Sequence, residues 1–192
     1  MIRDNDRSRW FGASDTATIM GNWGTKTFAK WWAVKLGLTE NTYHSRAMDV
    51  GNLMEHAIID EVARQTGYHI RKGRWPCYSP WLRLRVNYDG LCQQCVIEVK
   101  TTKNPFNTVP RNYWQQCQVL MYRLHRERCE LWAYEVMDHD YMAPYFARID
   151  PSRLRAFHIA YDANWIKNIY LPRLRVLSRA LRKRGYPNEA TI

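Results

Sequence analysis

The sequence predicts an α/β domain built on a central mixed β-sheet flanked by helices. Three observations predict it. Apolar residues recur at helical spacing over residues 47–66, strict alternation follows over 81–88, and the segments run helices, strand cluster, helix, strands, helix. A length of 192 residues suits one domain. Its core is expected over about residues 7–150, with a basic helical segment over 151–185 closing it.

The elements can be justified in order. Residues 14–21, SDTATIMG, carry Ser14 as a helix N-cap, an acid behind it and Gly21 as a stop. Residues 26–37 read as a second short helix ending at Gly37, and 38–46 as a polar loop. Over 47–66, Val50, Leu53, Met54, Ala57, Ile58 and Val62 form an apolar stripe, and Gly67 is a natural C-cap. Glu55 lies close to that stripe. Residues 68–75 read as extended. Over 81–88, Trp81, Arg83, Arg85 and Asn87 fall on one face and Leu82, Leu84, Val86 and Tyr88 on the other. Asp89-Gly90 ends that strand, 91–94 turn, and CVIEVKTT (95–102) is the next strand, so an antiparallel hairpin is expected. A helix begins at Pro110 and runs to about 125. Residues 129–137 and 141–149 read as strands, the second at an edge because of Pro144. From Pro151 to about Arg184 the chain reads as helical, started by Asp150 or Ser152, kinked or divided at Pro172 and ended by Gly185.

Lys and Arg number 29 against 18 Asp and Glu, a formal net charge of +11. That excess favours a polyanionic partner, nucleic acid before a membrane surface. The plain alternative is a basic protein kept soluble by its charge. No apolar run approaches the ~20 residues of a membrane span, and MIRDNDRSRW lacks the apolar core of a signal peptide. A soluble cytoplasmic protein without a membrane partner is expected. Five cysteines, an odd count, argue against a disulfide framework. Cys92 and Cys95 form a CxxC without a second pair, which reads as small core residues in a hairpin turn; a Cys-ligated metal protein is a distant alternative. The six His show no ligand spacing, and Trp23, Trp31 and Trp32 are expected as core or interface aromatics. The last segment sets Leu171, Leu174, Leu177 and Leu181 at helical spacing among arginines. It reads as an amphipathic closing helix, or as one that tracks phosphates or contacts a subunit.

The chemistry centres on Glu98 and Lys100, which share a strand face. Alone, ExK is an amphipathic strand with a solvated ion pair. Asp89 changes the weighting, because the hairpin brings its carboxylate to the same end of the sheet as Glu98. Two carboxylates so placed repel unless a positive charge lies between them. Mg²⁺ takes hard oxygen ligands and retains several waters. Asp89, Glu98 and the Val99 backbone carbonyl would hold it, with Mn²⁺ as a substitute. Lys100 would orient the attacking hydroxide or offset charge on the scissile phosphate.

Asp89-Gly90 followed by Glu98-Val99-Lys100 resembles the PD-(D/E)xK nuclease core. Three further stretches narrow the resemblance to the lambda-exonuclease and YqaJ-type viral recombinase family. Gly51-Asn52-Leu53-Met54-Glu55 is similar to its GNxxE helix, Gly12-Ala13-Ser14-Asp15 to its G-[GA]-S-D element, and Tyr113 to Gln118 to its Y-x-x-Q-x-Q helix. The four motifs stand in the family's order between about residues 7 and 136. One departure is local: the family usually has Ser-Pro before Asp-Gly, and this chain has Asn87-Tyr88. The resemblance implies a restriction-endonuclease-like fold and a Mg²⁺-dependent deoxyribonuclease of phage recombination type. Asp89 and Glu98 would bind the metal, Glu55 would face it through water, Lys100 would be the catalytic lysine, and Gln116 would approach from its helix. Arg7 and Ser14, with Arg9 as neighbour, would hold a terminal 5′-phosphate. The resemblance further implies digestion of double-stranded DNA ends from 5′ to 3′, a single-strand annealing partner, a ring-shaped homotrimer and the cytoplasm of a bacterial or phage-infected cell. An endonuclease or nickase of the same fold, and a non-catalytic DNA-binding module, are the alternatives.

Overall fold

The computed structural model describes residues 8–40 and 44–192. Arg9 lies in a turn with φ 62°, and Phe11 then runs beside a later strand: the Phe11 N–H donates to Arg83 O and the Arg85 N–H to Phe11 O. A 3-10 turn, Ala13–Asp15, leads into α1 (Thr16–Met20). Ser14 is not the N-cap. Gly12 takes that place, and the Asp15 carboxylate reaches back to accept the Gly12 N–H at 2.6 Å. Helix α2 (Lys26–Leu36) is capped by the Thr25 side chain and stops at Gly37, φ 72°. Helix α3 (Arg46–Thr66) is capped by Ser45 and stops at Gly67, φ 70°. Both ends use the left-handed conformation that glycine adopts without strain.

Next come β1 (Arg71–Lys72), β2 (Cys77–Ser79), a 3-10 turn at Pro80–Leu82, β3 (Leu84–Val86), β4 (Gly90–Leu91) and β5 (Cys95–Thr102). The expected strand over 81–88 is thus shortened. Pro80 starts a turn, and Arg83 takes a left-handed conformation (φ 50°) that ends it. Strand β3 pairs with β2 in a separate ribbon, so the hairpin partner of β5 is only the two-residue β4, paired Gly90 to Ile97 and Leu91 to Val96. Cys92 and Cys95 occupy the hairpin turn as expected. They are also joined by a single local disulfide, while Cys77, Cys117 and Cys129 are free, so no disulfide framework forms.

Helix α4 (Arg111–Leu124), with Pro110 at its N-cap, crosses to β6 (Arg128–Glu135), which lies parallel to β5. The strand expected over 141–149 is absent. The chain forms α5 (Asp138–Met142) and a 3-10 turn at Pro144–Phe146. Asp140 sets this course by accepting the Met137 N–H at 2.8 Å and pairing with Arg153 at 2.7 Å. The helix expected from 151 is also wrong in its first part. Asp150 caps only a 3-10 turn, Pro151–Arg153, and β7 (Leu154–Ala160) follows, antiparallel to β6. Helix resumes as α6 (Ala163–Trp165), passes through a π-type turn at Ile166–Tyr170 and ends as α7 (Leu171–Lys183). Pro172 sits in the first turn of α7, where its missing N–H does no harm.

The main sheet runs β1-β4-β5-β6-β7 and is mixed, with β5 and β6 the parallel pair. These central strands are buried on both faces, as a βαβ crossover requires. On one face Cys95, Ile97, Val99, Trp132 and Tyr134 pack against Val50, Met54, Ile58 and Val62 of α3. On the other, Val96, Cys129 and Leu131 pack with residues of α4, α7 and the N-terminal aromatics. Phe11, Trp23, Phe28 and Trp32 are fully buried there, and Trp31 packs against them. Lys35, only 3% exposed, is held at 2.7 Å by Asp15, whose other oxygen accepts Trp31 Nε1 at 2.9 Å.

Asp15 therefore satisfies a buried ammonium, an indole and a backbone amide together. Asp15→Ala is expected to lower unfolding free energy by about 3–5 kcal/mol in urea denaturation, because it leaves a buried charge unpaired. The double variant Asp15→Ala/Lys35→Met should lose clearly less. Equal losses would show that the ion pair is not what is felt.

Candidate active site

Strand β5 places Val96, Glu98 and Lys100 on the α4 face. Glu98 is 2% exposed, so the solvated ion pair is excluded. Its Oε1 accepts Lys100 Nζ at 2.7 Å and Gln116 Nε2 at 2.5 Å. Its Oε2 is buried and has no hydrogen-bond partner. One oxygen of a buried carboxylate is thus satisfied twice and the other not at all, an arrangement that native interiors rarely tolerate without a ligand.

Asp89 arrives from the open side of β5. Strand β4 covers only Val96 and Ile97, so the ladder stops before Val99. The Val99 N–H instead donates to Asp89 Oδ2 at 2.8 Å. The N–H and C=O of one strand residue point the same way, so the Val99 carbonyl faces the same gap. Gly90 permits the close turn, since a Cβ there would lie 2.7 Å from Ile70 Cγ2 and 3.1 Å from Ile97 Cβ. Gly51 does the same for α3. A Cβ on it would lie 2.9 Å from Thr101 Oγ1, so glycine lets the helix press onto β5. Glu55, one turn further along α3, is carried towards Glu98 and Lys100.

The electrostatics record that convergence. Burial, then the charge of Glu98, raises the Glu55 carboxyl above its ordinary value. Burial, then Glu98 and Glu55, raises Asp89 well above its own. Burial works to lower the Lys100 ammonium, but Glu98 and Asp89 more than offset it and hold it above the usual lysine range. Lys100 also lies 5.4 Å from the centre of the Tyr113 ring. Tyr113 and Gln116 are three apart on α4 and so share a face; that spacing was the available signal for the contact, which the sequence reading missed. Among the described residues, no group of three or more His, Cys, Asp and Glu side chains is clustered tightly enough to hold a metal ion. A cation would rest on two carboxylates, Asp89 and Glu98, and on main-chain oxygen. That set suits Mg²⁺, which keeps several waters, and the unpaired Glu98 Oε2 is the donor that fits it.

Ser14 is exposed on the 3-10 turn that packs against α4. Arg9 lines a separate cleft with Arg83, Arg182 and Arg184, which Ser14 does not line. Arg7 lies outside the described residues. Gln118 is structural: its Nε2 donates to Ala160 O at 2.8 Å and its Oε1 accepts the Asp162 N–H at 2.7 Å, tying β7 to the start of α6.

The raised carboxyls carry a sign. Their folded values lie above the unfolded ones, so the fold binds protons more readily and stability falls as pH rises through the raised range. Lys100 adds nothing to that slope below the lysine range. In EDTA, the urea midpoint should fall from pH 5 to pH 8. Asp89→Asn, which keeps an acceptor for the Val99 N–H, should flatten the decline and exceed the wild type at pH 8. A variant less stable at pH 8 would contradict the crowding of charge.

Among the described residues no helix is long and apolar enough to cross a membrane, and no curated protein matches the chain. Solved structures do. An alkaline exonuclease (LHK-Exo) from Laribacter hongkongensis superposes with a TM-score of 0.69 at 18% identity, covering 93% of this chain and 90% of that one. The same enzyme in complex with dAMP gives 0.71 over the same coverage. A phage related exonuclease from Haemophilus somnus 129PT gives 0.64 at 12% identity, covering 91% and 94%. These likenesses show the restriction-endonuclease-like PD-(D/E)xK fold. The YqaJ-like viral recombinase domain profile matches residues 4–123, more than half of the sequence, and the chain belongs to that family.

Proposed function

We propose that this protein is a Mg²⁺-dependent DNA exonuclease that digests one strand of linear duplex DNA from its 5′ end and leaves a 3′ overhang. The observation that carries the reading is the unpaired, buried Oε2 of Glu98 beside the raised carboxyl of Asp89. Family membership and the exonuclease names of the structural neighbours support it. Asp89, Glu98 and the Val99 carbonyl would hold Mg²⁺, with Glu55 acting through water and Mn²⁺ as a substitute. When bound, the ion would make a water more acidic and polarise a phosphoryl oxygen.

The chain's own residues supply the rest. Gln116 and Lys100 fix the Glu98 carboxylate from one side, leaving Oε2 free. Lys100 keeps its proton across the working pH range and so presents a permanent cation to the attacking water or the scissile phosphate. Burial strengthens that attraction relative to water. Glu55, with its raised carboxyl, is poised to hold a water at the edge of the site. Arg7 and Ser14 would receive the terminal 5′-phosphate. A single-strand annealing partner and a homotrimeric ring belong to the same reading.

Asp89→Ala or Lys100→Ala should reduce Mg²⁺-dependent digestion of linear duplex by at least about 10²-fold while leaving the far-ultraviolet spectrum unchanged. Retained activity in either removes the mechanism. Linear DNA with a 5′-phosphate should be digested faster than DNA with a 5′-hydroxyl, and covalently closed circles should be left intact. Nicked or linearised circles would instead establish the endonuclease reading.

A further inference from the structure

Arg9, Arg83, Arg182 and Arg184, with Leu36 and Leu181, line a cleft of about 210 Å³. No acidic side chain lines it, and among the described residues none of the four arginines has a carboxylate partner. The Arg83 Nε is buried without a hydrogen-bond partner. The last turn of α7 accounts for part of this, because cations suit a helix C-terminus. It does not account for Arg9 and Arg83, which come from a turn near the N-terminus and from the end of the Pro80–Leu82 turn.

The backbone adds a second observation. Among the described residues four non-glycine positions have positive φ, and three of them are Arg9 (62°), Arg83 (50°) and Arg184 (53°). Glycine is the usual residue in that conformation. Here three arginines stand in it, and all three line the same cleft. Arg83 and Arg184 do so as the caps that end the Pro80–Leu82 turn and α7, whereas Arg9 caps no described helix and is the outlier that cap geometry does not explain.

A third observation concerns what lies beside the cleft. The Arg182 guanidinium sits 5.2 Å from the Trp81 ring centre and donates to Trp81 O at 2.7 Å. Trp81 is nonetheless 79% exposed. One face of the indole is backed by a cation, and the ring stays open to solvent. Planar guanidinium forks match phosphate oxygens, and an exposed indole offers a stacking surface to any unpaired base.

We infer that this cleft is a single-stranded DNA site, in which the arginines hold a backbone phosphate and Trp81 stacks on a neighbouring base. The inference rests on the exonuclease reading for its place in the reaction. Arg83 precedes Asp89 by six residues, so the two Cα atoms lie within about 20 Å. A strand freed at the Asp89–Glu98 site can therefore reach the cleft within a few nucleotides, and the cleft retains the product overhang. Duplex DNA presents no base to Trp81 and gains only the phosphate contact.

The test uses a fluorescent oligo-dT and a blunt duplex, titrated in EDTA at several salt concentrations. Arg83→Gly/Arg184→Gly removes two charges at positions whose backbone glycine favours, so the fold is retained; thermal melting checks this. The double variant should bind the single strand at least tenfold more weakly, with the log–log salt slope smaller by about 0.7, the value for one lost phosphate contact on a single strand. Trp81→Ala should weaken single-strand binding several-fold with the slope unchanged, and should leave duplex binding alone. Unchanged single-strand affinity in either variant, a loss on the duplex as large as on the single strand for Trp81→Ala, or a shift only in oligomeric state by light scattering each overturns the inference. Neither arm requires digestion, so failure here is distinguishable from failure of the nuclease reading.

Discussion

Glu98 is an acid in the middle of a β-sheet with half of its charge unanswered. An ionised carboxylate loses much of its hydration on burial, and the structure returns only part of it through Lys100 and Gln116. Asp89 and Glu55 then approach the same region, and one lysine cannot balance three carboxyls. The raised values of Asp89 and Glu55 follow from burial and from repulsion among the carboxyls, which Lys100 offsets only in part. A divalent cation there would resolve the imbalance without a new side chain. The surrounding architecture lets these groups converge. Strand β4 ends early, Gly90 lets the chain turn against Ile97, and Gly51 lets α3 close on β5.

Much of this was legible in the sequence, for identifiable reasons. Helices α2, α3 and α4 announce themselves through apolar spacing and glycine or polar caps, and β5 through its run of β-branched residues. ExK on one strand face gave the Glu98–Lys100 pair. What alternation could not show was pairing. Residues 81–88 alternate as a strand should, yet Pro80 and the left-handed Arg83 redirect β3 to β2. The stretch LRAFHIA lies inside the segment that Asp150 or Ser152 and Gly185 mark as helix, whereas its pairing with β6 is non-local and leaves no mark in that punctuation. Asp140 overrode the strand pattern after β6 through contacts to Met137 and Arg153, which are equally non-local.

The same limit applied to function. Sequence order offered Arg9 and Ser14 for one phosphate pocket, and the structure places Arg9 in the cleft at the end of α7, which Ser14 does not line. The capping argument for Ser14 failed because Asp15, held by Lys35, serves the Gly12 amide. Gln118, quoted with Gln116 as one motif, splits from it in role: one faces Glu98 and the other ties β7 to α6. Motif membership thus marked one helix, and geometry separated a residue that bonds Glu98 from one that holds the frame.

The central claim is that Glu98 Oε2, Asp89 and the Val99 carbonyl share one divalent ion. Crystals grown with Mn²⁺ and measured at its absorption edge test this most directly. The account predicts one anomalous peak bonded to those oxygens, with Glu55 reached through water. A peak elsewhere, or none with the site fully ordered, would contradict it.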